Sequence, residues 1–157
     1  MKRTGTIAAI LLVAAAAALA LNARSDSATA SSGGGARLMR LTLLKGFFHG
    51  VDQPPHGDSV GDEQIFGGKL VSNGHARGRV QAYCVVISPS NQECSFTYAL
   101  HGGQVASLTG YGKGFSGNHR SSDPIVGGTG LYAGARGVIS DREVGPRADR
   151  LVFHLVR

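Results

Sequence analysis

After residue 36 the chain alternates polar and apolar residues with a period of two, the spacing of half-buried strands. In Arg37 to Lys45 (RLMRLTLLK) Met39, Leu41 and Leu43 share one face. Glu63 to Ser72 reads as a strand with a weak point at Gly67-Gly68, which predicts a bulge or bend. Arg77 to Ser88 and Glu93 to His101 are strong strands on either side of the turn Pro89-Ser90-Asn91. Gln104 to Leu108, Ile125-Val126, Leu131 to Ser140 and Leu151 to Val156 complete the set. Gly50 to Gly61 (GVDQPPHGDSVG) is a loop by its Pro and Gly content. About eight strands follow from this pattern, and no segment carries helical periodicity. The fold class expected is all-β. Eight antiparallel strands closed into a barrel leave no exposed edge and have room inside for one small ligand.

The first 30 residues follow a different pattern. Lys2 and Arg3 precede an apolar run of 15 residues, Ile7 to Leu21. Ala28-Thr29-Ala30 fits a small-x-small cleavage site, with Ala18-Leu19-Ala20 as a nearer rival. The reading is a secretory signal over residues 1–30, a flexible lead-in over 31–36 (SSGGGA) and a single barrel domain over 37–157, secreted to the cell exterior. A retained membrane anchor is the alternative, although a spanning helix needs about 20 apolar residues. No later segment could cross a bilayer as a helix, so no stable membrane insertion is expected after cleavage.

Removing the signal leaves 13 basic and 9 acidic residues, a formal charge of +4 rather than +6. A mild excess of this kind aids solubility and attraction to anionic surfaces. The basic residues are scattered along the chain without interleaved aromatics, so nucleic acid is not an expected partner. Glycine is abundant, with 23 residues after position 30, but it is not periodic and Pro is scarce. Neither collagen nor a disordered linker fits; short strands and tight turns do.

Cys84 and Cys94 are the only cysteines, and they flank one predicted hairpin. A turn centred on Pro89 sets them opposite each other, and export favours a cross-strand disulfide. A free, reactive Cys84 is the second reading, while two cysteines without a spaced His pair are too few for zinc. The six histidines are dispersed. Gly110-Tyr111-Gly112-Lys113-Gly114 lacks the ending of a phosphate loop, and Ser116 does not have nucleophile-elbow spacing. No pair of carboxylates stands out, and no cofactor or metal is called for. Pro124 to Ile139 (PIVGGTGLYAGARGVI) is the most distinctive run. Gly127-Gly128 reads as a turn, and the strand after it sets Ala133, Ala135 and Gly137 against Tyr132, Gly134, Arg136 and Val138. Arg136 either holds a carboxylate or enolate-like oxygen in a pocket or points outward into solvent.

This run resembles the GGTG-x-[FY]-x-x-ARG block of dirigent proteins and the GGSG-x-F-x-GA-x-G block of allene oxide cyclases. Gly61-Asp62, Phe66 and Lys69-Leu70 are similar to the GD…F…KL stretch of the cyclases, and Tyr83 to Ile87 to their Leu-Cys-Val strand. Phe96 and Tyr98 resemble the aromatic strand paired with it. The likeness covers residues 37–157. It implies an eight-stranded barrel, often a homotrimer, whose pocket binds a small hydrophobic metabolite and steers its cyclisation or isomerisation by orientation and exclusion of water. It places Cys84 on the cyclase pocket cysteine, Tyr111 near a pocket tyrosine and Arg136 on the dirigent arginine, the three candidate catalytic groups. Lys45 stands where the cyclases have a pocket glutamate; Lys45 and Tyr98 are the candidate ligand-binding residues. Gly68 stands where the cyclases have an asparagine, and the dirigent Asp-Asp-Pro-Leu-Thr segment is missing. These departures keep open a second function, a non-catalytic, lipocalin-like carrier of small molecules.

Overall fold

The computed structural model describes residues 35–112 and 120–156. Eight strands appear in sequence order: β1 (Arg37–Val51), β2 (Glu63–Ser72), β3 (His75–Ser88), β4 (Asn91–Leu100), β5 (Gly103–Gly112), β6 (Arg120–Gly128), β7 (Arg136–Gly145) and β8 (Ala148–Val156). Each pairs antiparallel with the next, and β8 returns to β1, so the sheet closes into the expected barrel. Closure gives every strand a neighbour on both sides, the seam between β5 and β6 being the shortest, at Val105 to Ser107.

Period-two alternation decides what lies inside. Val80, Ala82, Cys84 and Val86 of β3 are buried, and so are Gln92, Cys94, Phe96 and Tyr98 of β4. The same alternation runs through Leu41 and Leu43 of β1 and Leu151, Phe153 and Leu155 of β8. Aromatic rings stack across the lumen. Phe96 lies 5.8 Å from Phe66 and 6.1 Å from Tyr98, and Tyr98 meets Phe153 edge-on at 5.0 Å. Cys84 faces Cys94 directly in the β3–β4 register, and the two form a disulfide inside the barrel.

The bulge lies one strand away from where the glycine pair suggested it. Register shifts in β1 between Lys45 and Phe47, opposite Gly68 and Gly67 of β2. Gly67 accommodates the close approach, because a Cβ there would stand 2.9 Å from the Phe47 ring. The glycine-rich block also differs from expectation. Gly127-Gly128 is not a turn but the end of β6, and β7 begins only at Arg136. Between them Gly130–Tyr132 forms one 3-10 turn, and Tyr132 and Ala135 are buried beneath it as a plug for that end of the barrel. Gly130 adopts φ +58°, and a side chain there would strike the Gly102 carbonyl. The Leu131 N–H donates to the Gly102 carbonyl at 2.8 Å and the Thr129 N–H to that of Gln104 at 2.9 Å, so the two turns at this end lock together.

Candidate functional site

The opposite end is open. A cavity of about 750 Å3 occupies it, within the range of small-molecule sites. Its floor and walls are apolar and largely aromatic: Leu43, Phe66, Val80, Phe96, Tyr98 and Leu151. Beyond the β1 bulge, Phe47 and Phe48 also line it, 52% and 68% exposed. Large rings this exposed at a rim are suited to gripping an apolar guest. The loop between β1 and β2 contributes Asp58 and Asp62. Asp62 organises that loop, accepting from the Gln53 N–H at 3.0 Å and the Ser59 N–H at 2.7 Å. The loop is tied to β3 by the Gly61 N–H donating to the Val86 carbonyl and the Val86 N–H to that of Asp62.

A charged layer sits between floor and mouth. Glu143 of β7 is directly opposite Asp149 of β8, and Asp141 lies two residues before Glu143 on the same face. Lys45 reaches in from β1, its Nζ 3.0 Å from Asp149 Oδ1 and 3.6 Å from Glu143 Oε1. The Lys45–Asp149 contact is charge attraction without an aligned hydrogen bond. The Lys45 backbone is anchored as well, its N–H donating to the Arg147 carbonyl at 3.0 Å.

One cation cannot neutralise this layer. Burial pushes the Asp141 carboxyl up to about 7, and the charges of Asp149 and Asp123 add to the rise; Lys45 and the Arg142 N–H oppose it. Asp123 of β6 is itself fully buried and accepts a hydrogen bond from Ser121 Oγ at 3.2 Å. Oδ1 of Asp141, Oε2 of Glu143 and Nε2 of Gln92 have no hydrogen-bond partner among the described residues, although all three side chains line the cavity. Gln92 is 2% exposed, so its amide is a buried donor with no acceptor among the described residues. Groups left in this state favour a guest that brings hydrogen-bonding atoms of its own. No group of three or more His, Cys, Asp or Glu side chains among the described residues could hold a metal ion.

The sequence-derived candidates divide. Lys45 and Tyr98 line the same cavity. Cys84 is fully buried in the disulfide and has no thiol to offer. Arg136 is exposed at the far end of β7, opposite Val156 and remote from the mouth. Tyr111 is opposite Gln92 in the β4–β5 register, and its side chain lies outside the described residues. Asp141, Glu143, Asp149 and Gln92 were not anticipated. The signal for three of them was present, since Asp141 and Glu143 continue the inward face of Ile139 and Asp149 that of Leu151.

Comparison with known proteins supports the architecture. No protein-family model matches the chain, and no curated protein matches it by sequence. Among solved structures, a pyocyanin demethylase superposes with a TM-score of 0.66 at 23% identity, over 76% of this chain and 99% of that one. AbnU, an exo-specific intermolecular Diels-Alderase, gives 0.64 at 12% identity, over 79% and 100%. The pterocarpan synthase dirigent protein GePTS1 gives 0.60 at 18% identity, over 88% and 96%. At these identities the likeness is one of fold. The chain has a closed barrel fold like that of the dirigent protein GePTS1 and the Diels-Alderase AbnU, in keeping with the dirigent-like resemblance of the GGTG block.

Proposed function

We propose that the mature chain is an exported barrel that binds a small, mainly apolar metabolite and steers its cyclisation or isomerisation, with Asp141 moving the proton. The observation that carries this reading is the Asp141 carboxyl, unpartnered at Oδ1 in an aromatic-walled cavity and poised near neutrality. A group that is half protonated at working pH can both give and take a proton. The neutral acid donates to one atom of the guest, and the carboxylate recovers a proton from another as the bond rearranges. The balance is that of an isomerisation and needs no second reactant. Phe66, Phe96 and Tyr98 fix the orientation and exclude water, and the Gln92 amide holds an oxygen or nitrogen acceptor of the guest. The barrel neighbours whose names describe cycloaddition or pterocarpan synthesis favour the same class of chemistry. Export is supported by the Lys2-Arg3 and apolar pattern and by a disulfide, which persists in oxidising compartments.

The test begins with native mass spectrometry of protein from its own culture medium, with the bound compound released and identified. Its precursor is then supplied to the wild type and to Asp141→Asn. Turnover should fall about 100-fold or more in the variant, with affinity retained within about threefold. A compound released unaltered, with no turnover by the wild type, would make the protein a carrier instead.

A further inference from the structure

The barrel wall separates charge by sign. Along β6, β7 and β8 the acids Asp123, Asp141, Glu143 and Asp149 share the inward face with Ile125, Ile139 and Leu151. Arg120, Arg136, Arg142 and Arg150 of the same strands are exposed on the outward face, and Arg40 joins them from β1. The outward positions of these four strands, from Leu38 to Leu44 on β1, hold no Asp or Glu.

Three of the arginines form a row. Arg120 is directly opposite Arg142, and Arg142 directly opposite Arg150; Arg40 is opposite Val152, one diagonal step from Arg150. Adjacent strands are about 5 Å apart, so the row presents a guanidinium roughly every 5 Å around the wall. None of these arginines makes an ion pair among the described residues. Like charges directly opposite on a sheet repel each other and weaken the pairing. The fold tolerates this twice in succession at a place where any polar residue would suit solvent. The chain has scattered these residues over 110 positions, and only barrel closure assembles them.

We propose that this outer wall is a docking surface for a linear anionic polysaccharide, separate from the cavity and independent of its chemistry. Guanidinium groups bind carboxylate and sulfate oxygens in bidentate fashion, and a row at strand spacing matches a polymer with repeated anionic groups. The row runs around a convex wall, so a flat bilayer would meet only part of it while a flexible chain can follow it. Among the described residues, the outward positions beside it are Thr42, Ser122, Pro124, Val138, Ser140, Val144 and Val152, none of them an aromatic ring on which a base could stack.

The probe is a heparin-derived octasaccharide, titrated into the mature chain across a range of salt concentrations. Replacing Arg120, Arg142 and Arg150 together by Ser should weaken binding about 30-fold at 0.1 M salt and flatten the salt dependence by two to three counterions. Arg136→Ser, about 20 Å along β7 from the row, should change affinity less than threefold. The urea midpoint verifies that the triple variant is folded, and Arg142→Glu, a single reversal at the centre of the row, gives the same reading with less disturbance. Binding no tighter than to a neutral dextran oligosaccharide, or equal binding by wild type and triple variant, overturns the proposal. A tenfold preference for anionic phospholipid vesicles or for a single-stranded oligonucleotide of equal charge overturns it too, by assigning the wall to another polyanion.

Discussion

Replacing Asp141 by Asn should make the barrel more stable at neutral pH while removing its chemistry. The Asp141 carboxyl titrates at about 7 in the folded chain and near 3.8 when unfolded. Below pH 4 it is protonated in both states and imposes no penalty. Between pH 4 and 7 the unfolded chain sheds the proton while the folded chain keeps it, and stability falls by about 1.4 kcal/mol per pH unit. Above pH 7 the loss levels off at about 4 kcal/mol, good to one pKa unit or about 1.4 kcal/mol. Asn has nearly the shape of Asp and cannot ionise, so the variant escapes this slope. The rest of the sequence is the same in both proteins, so the difference between the two curves isolates residue 141. Urea unfolding at half-unit steps from pH 4.5 to 8.5, with the disulfide intact, measures it. The curves should lie within about 1 kcal/mol of each other at pH 4.5 and diverge to about 3–4 kcal/mol at pH 8 in favour of the variant. Parallel curves over that range would refute the argument, because they would mean that Asp141 is charged and comfortable in the folded state. A stable but inactive Asn variant is the pattern expected where a site keeps a group that the fold would do better without.

Lys45→Met should cost about 1–2 kcal/mol, a modest figure because the lysine is half exposed, and it should move the Asp141 titration further up by removing the cation that lowers it. The urea midpoint reads the first effect and the pH midpoint of turnover the second; an unmoved pH midpoint would separate Lys45 from Asp141. Replacing Cys84 and Cys94 together by Ala opens a loop with a sequence separation of 10 residues and should cost about 3 kcal/mol, seen as a lower urea midpoint. Equal midpoints for the Ala pair and the oxidised wild type would remove the disulfide from the stability account.

Strand alternation was legible where the inward face is apolar, as with Leu41 and Leu43 of β1 and Val80, Ala82, Cys84 and Val86 of β3, and the symmetry of Cys84 and Cys94 about one turn revealed their pairing. The stretch 129–135 was not, because Leu131 and Tyr132 read as the start of the next strand and only contact with the turn at Gly102-Gly103 bends them into a plug. The acidic layer was hidden for a related reason. Asp123, Asp141, Glu143 and Asp149 span 27 positions, and only register makes Glu143 the neighbour of Asp149 and places Lys45 between them. Arg136 was attractive as the sole charge in its run, but an isolated charge at a strand start has no reason to turn inward. The bulge at Gly46 decides the reach of Lys45 and the exposure of Phe47 and Phe48, and it depends on Gly67 and Gly68 of the facing strand.

Acids within and arginines without also carry a consequence for assembly of the chain. Asp141-Arg142-Glu143 and Asp149-Arg150 alternate in sign at the period of the pleat. If β7 or β8 slipped by one residue during barrel closure, every side chain would change face. Arg142 or Arg150 would then be driven into an aromatic lumen that already holds Lys45, and the carboxylates would be turned out to water. An apolar-for-apolar slip can be nearly neutral, but this one strands an arginine in a poor solvent. The alternating charges therefore act as a ratchet, admitting the two strands to the barrel in one frame.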